Sequence, residues 1–500
     1  MSWPLIFEHL FIVVSASLLS VCIGLPLGIL AYVSKTARPI LLRLVDLLQT
    51  VPSLALLGIL MVFFSPGKGT VIAGITLYSL LPIVRNTCLG LEQVDPGIKE
   101  AARGMGMGKA RRILTVELPL AFPTAFTGIR IAVVNAIGTA VFAAFVGGGG
   151  LGGVITQAIR VSDMRLILCT TGALMVMAAA LDAAMGFLER KLRTGRNGRR
   201  GLGLFAAGAV ALFCLLLPYG RSAAGDLILY DGDYSEPQLL HRMVKLLVED
   251  GSDLRVTILD QMSQVNNFNA LTAPSPTCDL MLSYDGTLLT TFFHQDTTDI
   301  PEGESLYAYV RRTAQEEYGL RLLDPLGFDN TYAVAVPQSV AARYGLATIS
   351  DLAAVAPELT FGAEQGFFTM EGSMKFTPFT QFYGLHFQNT VSMDLGLKYA
   401  AVENGTLDVT VVYATDGLNR KVGLHLLEDD RRFFPDYRGA FLVRSDVLER
   451  YPQLEAILGQ LSGRISTDQM AELSYQVDVE GRSADDVARA FLTEQGLLKP

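Results

Sequence analysis

Apolar runs of about 20 residues recur through the first 220 positions, and no other feature constrains this chain as strongly. In lipid every backbone N–H and C=O has to be satisfied inside the spanning segment, so each such run is restricted to helix. The runs lie near 8–33, 40–64, 70–90, 119–146, 165–188 and 201–218, which predicts an all-α membrane bundle of about six transmembrane helices. Composition agrees, since 18% charged residues fall below the roughly 25% of soluble domains. Lys35, Arg38 and Arg43 follow the first run, Lys99 to Arg112 the third and Arg190 to Arg200 the fifth, so these loops are expected on the cytoplasmic side. The opposite loops, Ser65 to Thr70 and Gly147 to Asp163, are nearly charge-free, which puts the amino terminus and everything after the sixth run outside. MSWPLIFEHL lacks the basic start of a secretory signal. RTGRNGRR before the sixth run also resembles a signal sequence, but the segment reads as a retained anchor; the alternative is a cut that frees the remainder.

The net charge of -9 conceals two bodies. Residues 1–224 hold 20 Lys+Arg against 9 Asp+Glu, a net of +11, and residues 225–500 hold 20 against 40, a net of -20. From Asp226 onward short β-branched runs alternate with amphipathic stretches, giving strands near 227–230, 254–259, 279–282, 332–336 and 407–413. Some 275 residues of this pattern suit two α/β lobes with a cleft between them. Their acidity argues against nucleic acid and against a fixed anionic ligand.

Catalytic and metal chemistry find no support. Cys22, Cys88, Cys169 and Cys214 sit inside apolar runs and leave Cys278 alone, so they read as small hydrophobes. His241, His294, His386 and His425 lack spaced partners and read as packing or surface residues. GMGMGK ending at Lys109 is not a phosphate loop, because Arg103 occupies its first glycine position and Ala110 follows the lysine. No other stretch approaches that pattern, so the chain is expected to be no enzyme and to bind no cofactor or metal, and any ATP hydrolysis would fall to a separate subunit. Gly147 to Gly150 lie in an outer loop and are expected to form a tight turn rather than a nucleotide site.

The loop EAARGMGMGKARRILTVELP, Glu100 to Pro119, resembles the coupling loop of ABC importer permeases. Glu100, Ala101 and Ala102 are followed at the family's spacing by Gly106, Leu118 and Pro119, with Val116 where isoleucine is commoner. Such a loop offers a short helix that begins at an acidic residue and turns at a glycine to a groove on a cytoplasmic ATPase. LLQTVPSLALLG, LLPIVRNTCLGLEQVDP and GTAVFAAFVGGGGLGG resemble the same family, over nearly all of residues 5–190.

The second body is similar to the glycine betaine/carnitine/choline binding proteins over almost its whole length, in LLDPLGFDNTYAVAV, LTFGAEQGFF, TVSMDLGLKYAAVENGTLDV, YATDG and SYQVDVEGRSADDVARAFL among others. The resemblance implies the type II two-lobe fold and a cage of tyrosines around a quaternary ammonium, matched here by Tyr284, Tyr332, Tyr413 and Tyr437. A trimethylammonium donates no hydrogen bond, so its recognition falls to aromatic faces within about 6 Å. Thr287 matches a hydroxyl that helps hold the ligand's carboxylate or alcohol. Asp416 is either a ligand contact or an acceptor between lobes, with the structural role favoured. Departures gather at the other end: Ser283 and Asp285 flank the cage tyrosine where glutamate and threonine are usual, GDYSEPQ places Pro237 opposite a glutamine unless the register slips to Gln238, and GFFTMEGSMKFTP is unlike the commoner FFDREDG.

These resemblances imply the membrane and receptor subunit of an ABC importer for a quaternary ammonium compound such as glycine betaine, choline or carnitine, with ergothioneine as the ligand alternative. A ligand-gated channel or sensor with a fused receptor is the rival from another class, and the docking loop argues against it. The expected division is 1–200 permease, 201–224 sixth helix and linker, and 225–500 extracytoplasmic receptor, with one lobe at 225–328 and 440–500 and the other at 329–439. Expected partners are a cytoplasmic ATP-binding cassette ATPase, a second copy of the chain and the bilayer of the plasma membrane.

Overall fold

The computed structural model describes residues 3–64, 66–160, 163–194, 208, 210–217, 225–369, 374–393 and 395–498. It divides into two compact units, one formed by Met1–Thr156 and Arg165–Ser222, the other built mainly on Ala223–Pro500.

The first unit is helical: α1 (Trp3–Val33), α2 (Ala37–Thr50), α3 (Ser53–Phe63), α4 (Lys68–Glu92), α5 (Pro96–Gly104), α6 (Lys109–Arg112), α7 (Leu118–Thr139), α8 (Leu151–Arg160) and α9 (Met164–Thr194). Small residues set its centre. A Cβ at Gly28 of α1 would lie 2.5 Å from Thr87 Cβ on α4, and one at Gly128 of α7 would lie 2.3 Å from the Pro82 carbonyl of α4. Backbones that approach this closely in lipid replace a water-driven core with van der Waals packing.

The expected second span is broken. α2 and the start of α3 meet at 101°, at Val51 and Pro52. Proline lacks the N–H that would continue the helix and pushes its predecessor to extended backbone, and Val51 accordingly has φ -71° and ψ 127°. Among the described residues four helical stretches are long and apolar enough to cross a membrane, Trp3–Val33, Lys68–Glu92, Lys109–Val146 and Met164–Arg190, and the bent pair would make a fifth. Of the sixth run, residues 208 and 210–217 are described and helical; the rest of it, and 195–200 of the basic loop before it, lie outside the described residues.

The second unit carries ten strands: β1 (Leu227–Gly232), β2 (Val256–Met262), β3 (Leu280–Tyr284), β4 (Leu320–Leu322), β5 (Tyr332–Pro337), β6 (Thr360–Ala363), β7 (Asn389–Ser392), β8 (Val409–Tyr413), β9 (Leu424–Leu426) and β10 (Gly439–Arg444). β1 pairs parallel with β2, and β10 lies antiparallel between β3 and β4. A separate mixed sheet runs β7-β6-β8-β5-β9. The chain therefore leaves the first sheets after β4 and returns to them at β10, and the two crossing segments bridge at Asp329 and Arg438. Each side has its own apolar core, one around Leu229, Leu240, Phe441 and Leu492, the other around Val334, Phe361, Phe379 and Val411. This is the two-lobed α/β architecture of a type II binding protein.

Candidate ligand site and docking loop

The four tyrosines come together as two ring pairs near the crossing segments. Tyr332 and Tyr413 stand directly opposite one another in the antiparallel β5–β8 ladder, and cross-strand neighbours on one face put their side chains alongside. Their ring centroids are 5.1 Å apart at 27°, with the hydroxyls at 3.4 Å. Phe367 and Phe434 meet Tyr332 edge-on at 5.7 and 5.8 Å and fix its plane.

Tyr284 ends β3 and packs 5.7 Å from Tyr437 at 28°. Tyr437 is held from three sides: its N–H donates to Asp329 Oδ1 at 2.5 Å, its carbonyl accepts from Asn330 N at 2.9 Å, and its hydroxyl lies 2.7 Å from Thr287 Oγ1. Burial raises the Tyr437 hydroxyl well above the ordinary tyrosine range, and Tyr332 adds to the rise; Tyr413 is raised likewise, with Tyr437 among its causes. The two pairs therefore share one electrostatic environment of neutral phenols.

Thr287 thus reaches the site through the Tyr437 hydroxyl. Asp416 accepts from Tyr399 Oη at 2.5 Å and from Leu418 N at 3.0 Å, so it is committed to internal bonds. His241 is buried and its Nε2 accepts from Leu282 N at 3.1 Å, a packing role. Asp285 is also buried; its Oδ1 accepts from Gly286 N at 2.8 Å and Arg438 N at 2.9 Å, tying the end of β3 to a crossing segment. Burial pushes its carboxyl up to about 7.

The structure adds residues that the sequence reading passed over. Glu236, 2% exposed, accepts from Tyr284 Oη at 2.5 Å and from Asn330 Nδ2 at 3.3 Å. Burial pushes its carboxyl up to about 7 against the pull of the Thr415, Tyr284 and Asn330 donors. Tyr234 shares a 2.7 Å bond with the Tyr284 hydroxyl and accepts from Gln264 Nε2 at 3.4 Å. Among the described residues, Glu236 Oε2, Gln264 Oε1 and Asn330 Oδ1 are buried and accept no hydrogen bond. One general signal points here: in open α/β sheets ligands sit beyond the carboxyl ends of strands, and Tyr234 and Glu236 lie in the first turn after β1. The remodelled GDYSEPQ is also explained. Pro237 packs over Gly232, where an added Cβ would be 2.1 Å from its Cγ, and Gln238 turns back to donate to the Gly232 carbonyl at 3.0 Å.

In the first unit, Glu100 to Pro119 forms a helix, a turn and a return. α5 starts at Pro96 with Asp95 as N-cap, its Oδ1 accepting from Gly97 N at 2.6 Å and Ile98 N at 3.4 Å. The expectation that the helix begins at the acidic residue of the motif is corrected: Glu100 lies inside α5 and is exposed, as is Ala101, while Ala102 is buried. Gly106 has φ 76°, the left-handed turn that releases the chain. Leu118 and Pro119 open α7 and are half-buried. Behind them buried Glu117 accepts from Arg112 Nε at 2.5 Å and Tyr32 Oη at 2.6 Å, anchoring the loop to α1. Ile98 and Met105 stand 42% and 69% exposed at its tip, an apolar knob of the kind a protein groove accepts.

Residues 22–194 match the family of binding-protein-dependent transport system inner membrane components, and residues 226–494 match the substrate binding domain of ABC-type glycine betaine transport systems. The chain is 28% identical to an ergothioneine transport permease/ergothioneine binding protein of Helicobacter pylori, over 95% of this chain and 87% of the relative. The carnitine transport binding protein OpuCC of Listeria monocytogenes is 31% identical over 57% of this chain and 92% of its own length. The osmoprotectant import permease protein OsmW of Salmonella typhimurium is 43% identical over 35% of this chain and 84% of its own length. With the matched families covering both units, the chain belongs to the ABC importers, as an inner-membrane permease fused to a substrate-binding domain of the glycine betaine transport family.

Proposed function

We propose that the protein takes up a quaternary ammonium zwitterion, captured between the tyrosine pairs of the receptor and passed through the bundle at the expense of ATP hydrolysed by a partner. Tyr284, Tyr332, Tyr413 and Tyr437 form the ammonium site and Thr287 assists beside Tyr437. The permease is assigned to 1–200, the sixth helix and linker to 201–224 and the extracytoplasmic receptor to 225–500. Two copies assemble around one path, each docking an ATP-binding cassette ATPase on the loop from Glu100 to Pro119. The exposed tip of that loop supports transport over a channel or sensor, which has no use for an ATPase-docking helix.

One observation favours a ligand of this class that brings hydrogen-bond donors. Among the described residues, Glu236 Oε2, Gln264 Oε1 and Asn330 Oδ1 are buried acceptors without donors, and a buried acceptor left unpaired costs about 1–3 kcal/mol. Glycine betaine brings no donor, and choline and carnitine bring one hydroxyl each. Ergothioneine combines a trimethylammonium and a carboxylate with ring N–H groups, so it satisfies both the aromatic faces and the acceptors. We therefore favour ergothioneine, with carnitine second. Calorimetry of the purified full-length protein with ergothioneine, carnitine, choline, glycine betaine and histidine tests this. Tightest binding is expected for ergothioneine; equal binding of histidine would remove the ammonium cage, and tighter binding of glycine betaine would remove the donor argument.

A further inference from the structure

The break in the second span leaves backbone at membrane depth outside any helix. α2 ends at Thr50, Val51 is extended, and α3 begins after Pro52. The last carbonyls of α2 have no helical partners there and carry the negative end of its dipole. α4 stitches the break from one side: the Tyr78 hydroxyl donates to the Val51 carbonyl, and Gln49 Nε2 donates to the Tyr78 carbonyl at 3.1 Å. Beside this stitch lies a cavity of about 430 Å³, within the range of about 300–1,000 Å³ of small-molecule sites. Gln49, Tyr78 and Ser79 line it from α2 and α4; Asn135 and Thr139 line it from α7, and Phe142 from the 3-10 turn Ala140–Val146 that follows. The cavity sits well inside the bundle, since Tyr78 lies about 15 Å along the 25-residue α4 from Lys68 and Asn135 about 26 Å along α7 from Leu118.

Non-helical backbone survives at this depth only where protein buries it or where it lines a water-filled cavity. Gln49 and Asn135 are exposed on the chain, and hydrocarbon offers their amides no partner. The cavity therefore suits a watered path better than a lipid face. Among the described residues its lining holds no side chain that is charged at neutral pH. Asp46, one turn before Gln49, is engaged by Arg85 Nη2 at 2.9 Å. What the cavity offers is a set of carbonyl dipoles, two aromatic residues and two amides. A trimethylammonium needs negative potential and ring faces but no hydrogen bond, and the amides can donate to a carboxylate. Without a full counter-charge the hold is weak, as a site that has to release its occupant requires.

Resting on the quaternary ammonium reading above, we infer that this cavity is a second ligand site, separate from the receptor's tyrosines, where the trimethylammonium pauses at the broken span on its way through the permease. Asn135 and Phe142 contact the ligand there, and the α2 carbonyls face its positive charge.

The test places opposite charges at one position. Full-length wild type, Asn135→Lys and Asn135→Asp are reconstituted in vesicles with the ATPase, and uptake is measured for ergothioneine, carnitine, glycine betaine and choline. Asn135→Lys should lower uptake by about 10-fold or more, because like charges repel strongly at low dielectric, while calorimetry shows wild-type ligand affinity. The loss should be larger for cationic choline than for the zwitterions. Asn135→Asp should stay within about 3-fold of wild type, since added negative charge favours the ammonium. Equal uptake by the two charged variants as monodisperse proteins, whether lost or normal, would overturn the inference. Thr139→Cys keeps the test open if a charge disrupts folding. A methanethiosulfonate carrying a trimethylammonium should label this thiol about 2- to 30-fold faster than a neutral one, the range that one aromatic contact supplies, with rates normalised to a free thiol and the wild-type background subtracted. Equal normalised rates would overturn the inference. Wild type that takes up none of the four compounds would overturn the quaternary ammonium reading itself, and the inference with it.

Discussion

Replacing Gly286 by alanine should push one wall out of the proposed ligand site. An alanine Cβ there would lie 2.0 Å from Tyr437 Cε2, 2.4 Å from Cδ2 and 3.0 Å from Cζ. Carbon atoms rest about 3.5–4.0 Å apart, so the ring has to retreat by about 1.5 Å. Tyr437 is poorly placed to yield, because Asp329, Asn330 and Thr287 hold its N–H, carbonyl and hydroxyl. Gly286 lies outside the left-handed region, so alanine meets no backbone penalty and the effect isolates the collision. Overpacking of this kind costs about 1–3 kcal/mol of stability. Loss of one aromatic face from a desolvated ammonium removes a further 0.5–2 kcal/mol or so of binding energy, roughly 2- to 30-fold in affinity. Thermal unfolding and calorimetry on Gly286→Ala, Tyr437→Ala and the double variant form a cycle. In the Tyr437→Ala background the collision partner is gone, so Gly286→Ala should become nearly silent there. Wild-type melting and affinity for Gly286→Ala alone, or an undiminished effect in the double variant, would refute the placement of Tyr437.

Glu236 links the site to pH: its carboxyl titrates near 7 when folded against an ordinary 4.5, so its stabilising contribution is complete below about pH 4.5 and is lost as pH rises through 7. Glu236→Gln should remove on the order of 3 kcal/mol from the fall in unfolding free energy between about pH 4.5 and 7, with a residual slope from Asp285; an unchanged profile would exclude Glu236 as its source. In the docking loop, Glu100→Lys or Gly106→Glu should abolish uptake in vesicles containing the ATPase while ligand affinity stays at the wild-type value, and normal uptake by either variant would remove the docking assignment. Gly128→Val puts side-chain atoms where even a Cβ would lie 2.3 Å from the Pro82 carbonyl, so the variant should lose a monodisperse peak in detergent chromatography; a normal peak would contradict the α4–α7 contact.

Periodicity, length and charge were enough to divide the chain, because lipid and water impose opposite compositions and the change of net charge falls between the two units. The broken second span was written in Val51 and Pro52, yet its 101° bend depends on how α2 and α3 pack and escapes any run-length argument. Motif spacing singled out Tyr284, Tyr332, Tyr413 and Tyr437, which the fold gathers into two ring pairs, since each stands at a strand end or beside a crossing segment whose sequence is recognisable by itself. Glu236 and Asn330 were not legible in the same way. Their chemistry comes from desolvation and from neighbours distant in sequence, as when Asn330 donates to Glu236 across 94 positions. A linear sequence records which groups can ionise or donate. Only the fold decides which of them are buried together, and therefore which ones a ligand has to satisfy.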